Sequence, residues 1–226
     1  MDNPTLGVIY AKVLNELGNY KKAAKVLSKI IFLPKEVSNE PHILYEIAYI
    51  GQALKFIRKK RWFKAIVLLE KSKNWPKNLG SGKPYRYDYR IQDYLIRFAQ
   101  NKIGNTELVK IVEDNILSYR KSREQLSELN NLSTFFEYKL MKEMEMDEEI
   151  EVLKANLIKI KEKEAINQLG PTGEPSTLEW LNLKINERLD NVEDIDEWNQ
   201  FFKTNMTKKA ALFFEILDEI EKSDER

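Results

Sequence analysis

The sequence predicts an all-α chain, a helical solenoid, and two observations predict it. Apolar residues recur at helical spacing along nearly the whole chain, and two segments carry the same helix-turn-helix pattern in the same register. In the first, Tyr10, Ala11, Leu14, Gly18, Tyr20, Ala23, Leu27 and Pro34 follow one another. In the second, Gln52, Ala53, Phe56, Lys60, Trp62, Ala65, Leu69 and Pro76 take the equivalent places, each 42 positions on. Repeats of this kind stack, each burying its apolar face on the next, so a chain of 226 residues is long enough for one continuous core.

Taken in order, the apolar spacing predicts helices over 5–17 (Val8, Val13, Leu14, Leu17) and 20–32 (Ala23, Val26, Leu27, Ile30), turning at Gly18-Asn19. The linker 32–40 holds Pro34 and ends in Ser38-Asn39, capping residues ahead of Pro41 near the first helical position. Helices over 41–59 and 62–74 follow, ending at Trp75-Pro76, and the Gly- and Pro-rich stretch Asn74 to Tyr85 forces a loop. A third unit starts near Asp88, runs through Ile91, Tyr94, Leu95, Phe98 and Ala99, turns at Gly104-Asn105, and continues with Val109, Val112 and Ile116. Arg97 stands where Ala11 and Ala53 do, and Gln100 where Leu14 and Phe56 do, so this unit is degenerate or shifted.

Beyond about residue 120 the helical pattern persists without the signature. Leu126, Leu129, Phe135, Phe136, Leu140 and Met144 make one helix or pair, and Ile150, Leu153, Leu157 and Ile160 another, with Lys and Glu on its outer face. Gly170 to Pro175 break the pattern, a helix through Leu178, Leu181, Ile185 and Leu189 gives way to an acidic turn from Asp190 to Asp196, and an unusually apolar helix spans about 207–222. The predicted organisation is repeats over 1–119 (about 5–34, 45–77 and 88–119) and a divergent helical portion over 120–226.

Composition narrows the function classes. With 37 Lys and Arg against 36 Asp and Glu the net charge is +1, so no global field draws the chain to nucleic acid or to an anionic membrane. The absence of Cys excludes disulfides and thiolate metal sites, and a single His42 removes most histidine chemistry. No run of about eighteen apolar residues is present, so no membrane insertion is expected. The start, Met1-Asp2-Asn3-Pro4, has no signal-peptide pattern, which implies a cytoplasmic protein if Met1 is the natural start and leaves export open if the chain is part of a longer one. The repeat begins at once, with no polar capping helix ahead of it, which favours the longer chain.

The repeat spacing resembles the tetratricopeptide family: a small residue between helices, an aromatic before the second helix, Ala inside it, and Pro at the close. That resemblance implies a right-handed solenoid and a non-catalytic role in binding a protein or peptide. The stretch Asn74 to Tyr85, with Asp88, Arg90, Asp93-Tyr94-Leu95 and Gly104-Asn105, is similar to the tetratricopeptide tail of large Bacteroidetes-type proteins. Their front half is a mutarotase-like β-sandwich of unknown function, and they are often associated with glycan utilisation. This second resemblance covers roughly residues 41–118 and implies an alternative role, as the accessory C-terminal module of a carbohydrate-active protein.

Candidate chemistry along the chain has bland readings. Gly80-Ser81-Gly82-Lys83 lacks the spacing and the strand of a phosphate loop and reads as a connector. Arg58-Lys59-Lys60-Arg61 with Trp62 has the composition of a nucleic-acid patch, but Trp62 falls on the packing position of Tyr20, which leaves the cations at a solvated turn. The carboxylate pairs Asp88/Asp93 and Glu148/Glu149 read as solvated faces and caps, and His42, beside Pro41, as a first-turn surface residue. Tyr85, Tyr87, Tyr89 and Tyr94, with Arg86 and Arg90 interleaved, are of the kind that stack on a sugar or pack against a neighbouring domain. No cofactor or metal site is expected.

In the tetratricopeptide register the first helix of each unit lines a concave groove. This gives Thr5, Val8, Lys12, Asn15 and Glu16 in the first unit, a polar wall. The second contributes Ile47, Ile50, Leu54, Ile57 and Arg58, and the third Ile91, Tyr94, Phe98, Asn101 and Lys102. These apolar walls predict a partner-binding groove covered by an apolar helix or domain, with the last helix, through Phe213, Phe214 and Leu217, as the internal candidate. The expected partner is a protein, a peptide or an adjacent domain of the same chain, with no nucleic acid.

Overall fold

The computed structural model describes residues 3–32, 39–85, 87–121, 132–167, 185 and 208–224, and among them every regular element is helical. In chain order these are α1 (Pro4–Glu16), α2 (Tyr20–Leu27), α3 (Glu40–Ile57), α4 (Trp62–Ser72), a 3-10 turn (Lys77–Leu79), α5 (Arg90–Lys102), α6 (Thr106–Lys121), α7 (Ser133–Glu143), α8 (Asp147–Asn167) and α9 (Lys208–Asp224). Two compact units form, one from Met1–Val112 with Met206–Arg226, the other from Glu113–Asn205. Pro34, Arg86, Leu126, Leu129 and the predicted elements over 170–184 and 189–196 lie outside the described residues.

Local chemistry sets the helix ends. The Asn3 side chain accepts the Leu6 N–H at 3.2 Å and Pro4 occupies the first turn of α1, so one orphan amide is satisfied and another is absent by construction. Asn105 caps α6 in the same way, accepting from the Leu108 N–H at 3.3 Å. Asp147, Glu148 and Glu149 place negative charge at the positive end of α8.

The hairpin turns repeat one geometry four times. A residue with positive φ stands at Gly18 (68°), Lys60 (54°), Gly104 (75°) and Glu145 (55°), spaced 42, 44 and 41 residues apart. Each is followed by an amide that reaches back five residues: Asn19 N–H to the Leu14 carbonyl at 2.7 Å, Arg61 to Phe56 at 2.9 Å, Asn105 to Gln100 at 3.1 Å, and Met146 to Met141 at 3.0 Å. This is the Schellman closure, which ends a helix on a left-handed residue and returns the orphan carbonyls to use. The next helix starts two residues past the left-handed one in every case, at Tyr20, Trp62, Thr106 and Asp147. Gln100 therefore does occupy the place of Leu14 and Phe56, and the third unit keeps its register at the turn.

Packing in the first unit follows from where small residues fall. Ala11, Ala23, Ala53 and Ala65 are fully buried, so α1 packs on α2, and α3 on α4, at close range. Helix α2 then lies on α3, and α4 on α5. Val8, Leu14, Ala24, Leu27, Ile30, Leu44, Tyr45, Ala48, Tyr49 and Leu79 join Ala11 and Ala23 in one core cluster. Gly51 is required where α2 meets α3, because a Cβ there would sit 2.5 Å from the ring of Tyr20. The long α4–α5 connector is tied back onto the first hairpin by Asn78, whose amide donates to the carbonyls of Leu27 and Ile30 at 2.9 and 2.7 Å. In the second unit α7 packs on α8, burying Phe136, Leu140, Met141, Ile150, Leu153 and Leu157.

Candidate binding cleft

The C-terminal end of α3, the turn after it, α4, α5 and α9 enclose a cleft of about 340 Å³ in the first unit. Its walls are Ile57 and Arg58 from α3 and its end, Lys60 from the turn, Trp62 from α4, Phe98 and Lys102 from α5, and Glu219 and Lys222 from α9. Trp62 opens α4 and meets the edge of Phe98 at 5.9 Å between ring centroids, with the planes 82° apart. The Lys102 ammonium stands 5.2 Å from the centre of the Phe98 ring, an attraction between a cation and the negative ring face. Four cations against one carboxylate make the lining net positive over an aromatic floor.

Arg58 joins α3 to α9. Its Nη2 donates to Glu215 at 3.3 Å and its Nε to Glu219 at 3.0 Å. Partial burial works against the charge on the guanidinium, but the two carboxylates outweigh it and raise the pKa above its ordinary value. Glu215 also bears on Tyr20, whose phenol is pushed up to about 12 by burial first and by that carboxylate second.

The residues predicted to line a groove divide into two sets. Ile47, Ile50, Leu54, Ile91 and Tyr94 are buried. Ile57 and Phe98, also buried, combine with Arg58 and Lys102 as cleft wall, while Asn101 is exposed. On α1, Val8 and Asn15 are buried, Asn15 donating its amide to the Leu44 carbonyl at 3.0 Å, while Lys12 pairs with Glu40 at 3.3 Å. Helix α9 lies against α3 and buries Phe214 and Leu217, together with Leu212, Ile216 and Ile220. The side chain of Phe213 lies outside those described.

A second cluster sits under the α4–α5 connector, and there the surface readings fail. His42 is fully buried, its ring stacked on Trp75 at 3.3 Å between centroids and meeting the edge of Tyr87 at 5.3 Å, with Nε2 3.2 Å from the Asn74 carbonyl. One turn on, buried Glu46 accepts from the Tyr87 hydroxyl at 2.6 Å and from Gln92 at 2.9 Å. Burial, reinforced by Glu46, pushes the Tyr87 phenol far up and that of Tyr89 to about 12.

Asp88 and Asp93 are engaged rather than solvated. Asp88 takes a two-pronged bond from the buried Arg90 guanidinium at 3.1 and 2.9 Å. Asp93 pairs with Lys73 at 2.5 Å, yet its pKa is raised because burial outweighs the attraction of Lys73. Tyr87 and Tyr89 thus pack within the molecule and Tyr94 is buried, leaving Tyr85 of that series fully presented to solvent. His42, Glu46, Tyr87 and Gln92 hold the connector to α3 and α5, an architectural use of polar chemistry.

Sequence reasoning missed Lys60, Glu219 and Lys222 as cleft residues and took Trp62 for core. The dense cations before Trp62 were the available signal; what joined them to α9 was a contact across more than 150 positions. Among the described residues no group of three or more His, Asp or Glu side chains is arranged to hold a metal ion, and no helix is long and apolar enough to cross a membrane. No family model, curated protein or solved structure matches the chain.

Proposed function

We propose that the chain is a non-catalytic interaction scaffold of the tetratricopeptide type, a right-handed stack of helical hairpins that engages a protein or peptide partner, or an adjacent domain, at the cleft beside Arg58. The observation that supports it most directly is the fourfold recurrence of one hairpin turn at Gly18, Lys60, Gly104 and Glu145, the pattern of a molecule built by repetition. Repetition supplies extended surface rather than a converging set of reactive groups. The cleft supplies recognition chemistry: an aromatic floor of Trp62 and Phe98 for an apolar anchor, and Lys60, Lys102 and Lys222 at its walls for carboxylates. A segment that is both acidic and apolar fits this lining.

Selection of a displayed peptide library on the full chain tests the reading, with a Lys60→Glu, Lys102→Glu variant as counter-selection. The expected result is a set of acidic, apolar peptides held by the parent chain and lost by the variant. Selection that yields none, or only peptides indifferent to both substitutions, counts against the reading.

A further inference from the structure

We infer that α9 is a built-in occupant of the partner surface, and that the partner it yields to is an amphipathic helix with acidic residues four apart along the edge of its apolar face. This rests on reading the cleft as a binding surface, and it names both the partner's form and the regulation of access.

Residues 206–226 return to the first unit across the whole of the second, and α9 docks on α3 with 157 positions separating Arg58 from Glu215. Helix α9 therefore reports what this surface accepts. It presents buried Leu212, Phe214, Ile216, Leu217 and Ile220, and beside them Glu215 and Glu219, one turn apart, which share the guanidinium of Arg58. An apolar face anchored at i, i+4 positions and flanked by charge is the way a helix fills a groove.

The polar half of this seat is easily exchanged. Arg58 is 44% exposed, Glu215 40% and Glu219 27%, so both ion pairs are within reach of water and can be exchanged for equivalent ones. An incoming acidic helix recovers the same two bonds at Arg58 and meets Lys60 and Lys102, which stay in place when α9 leaves with Glu219 and Lys222. While α9 is seated, the apparent affinity for such a partner is reduced to the fraction of molecules that are open, so the apolar face of α9 and its two pairs with Arg58 together set the threshold for binding.

The probe is a fluorescein-labelled peptide with the sequence of Lys208–Asp224, titrated by anisotropy against the full chain. Glu215→Lys with Glu219→Lys in the chain weakens its own latch and leaves Arg58 for the peptide, so affinity is expected to rise about tenfold over the parent. Adding Arg58→Glu removes that gain, and thermal melts establish that all three chains are folded. Because the chain contains no Cys, Arg58→Cys with Glu219→Cys can be bridged by a bismaleimide, and the bridged chain is expected to bind the peptide about tenfold more weakly than the same chain unbridged. Equal affinity for parent, latch-weakened and bridged chains, or no binding by any of them, overturns the inference. If library selection yields cleft-binding peptides whose affinity ignores the latch, the inference fails and the scaffold reading survives. A selection that yields none sinks that reading itself.

Discussion

Helices α1 and α3 open successive hairpins in the same register, yet their outer faces are treated oppositely. On α1, Leu6, Ile9 and Val13 are 57%, 53% and 47% exposed, and with Tyr10 and Leu17 they form an apolar stripe. The equivalent places 42 residues on are Ala48, Gly51 and Lys55, and helix α2 lies across them. Ala48 is fully buried, the Tyr20 ring covers Gly51, and Lys55 donates to the Gly18 carbonyl at 2.7 Å with its ammonium 5.0 Å above that ring. On α5 the corresponding Gln92, Leu95 and Ala99 are buried, and α4 packs on that helix. This face answers to the presence of a preceding helix: where one packs on it the residues are buried, and small at the closest approach, as at Gly51, whereas on α1, where none of the described helices precedes it, large apolar residues stand exposed.

The largest effect expected from this contrast is at Gly51. A methyl group there meets ring atoms of Tyr20, which is itself buried, so Gly51→Ala requires the ring or the spacing of α2 and α3 to shift. The loss of stability is expected to be about 1–3 kcal/mol, the cost of overpacking a close contact. Ile9→Ala at the equivalent place on α1 is expected to change little. Urea unfolding of the two variants beside the parent decides, and equal midpoints would mean that the two faces do not differ in solution as they do here.

How far this was legible in the sequence depends on the range of the contact involved. Residues that act within one turn were readable: Gly18 and Gly104 mark their turns, and Ala23 and Ala65 mark helix crossings, because each type answers to a local steric need. The fourth hairpin was not readable, since Glu145 stands where the first and third turns have Gly and Asp147 where the first two hairpins have an aromatic. His42 misled for a related reason. A polar residue beside Pro41 in a first turn is ordinarily solvated, and what buries it is Trp75, supplied by a connector whose path no periodicity encodes. Half of the candidate site was present in the predicted groove as Ile57, Arg58, Phe98 and Lys102; the apolar face of α9 marked it as a candidate cover, but the entry of Glu219 and Lys222 into the cleft depends on tertiary return of the chain and leaves no local trace.

A smaller effect separates the turns themselves. At Gly18 and Gly104 a Cβ would meet nothing within 4 Å, so substitution there is opposed by backbone conformation alone. Lys60 and Glu145 hold the same left-handed geometry with a side chain attached, which costs about 1–2 kcal/mol each relative to a right-handed residue. Lys60→Gly and Glu145→Gly relieve that strain at the expense of a more flexible unfolded chain, for an expected net gain of up to about 1 kcal/mol. Gly18→Ala is expected to lose about as much. Thermal melts of the three variants test whether the four turns are energetically one motif, and a Lys60→Gly variant that loses stability would show that its side chain does more than occupy the turn.

The smallest effect belongs to the α1 stripe, and it bears most directly on the comparison. If Leu6 and Val13 face water, replacing both with Lys exchanges one solvated side chain for another and shifts stability by no more than about 0.5 kcal/mol each. The melting temperature of the parent should likewise be independent of protein concentration, because nothing that covers the stripe is lost on dilution. A cover supplied by another molecule makes the opposite forecast: the melting temperature rises with concentration in the parent and not in the Leu6→Lys, Val13→Lys variant. Sedimentation equilibrium of both chains over a hundredfold range of concentration separates these outcomes. A parent heavier than its variant would place a helix on α1 after all, making its outer face equivalent to that of α3 in packing as well as in register.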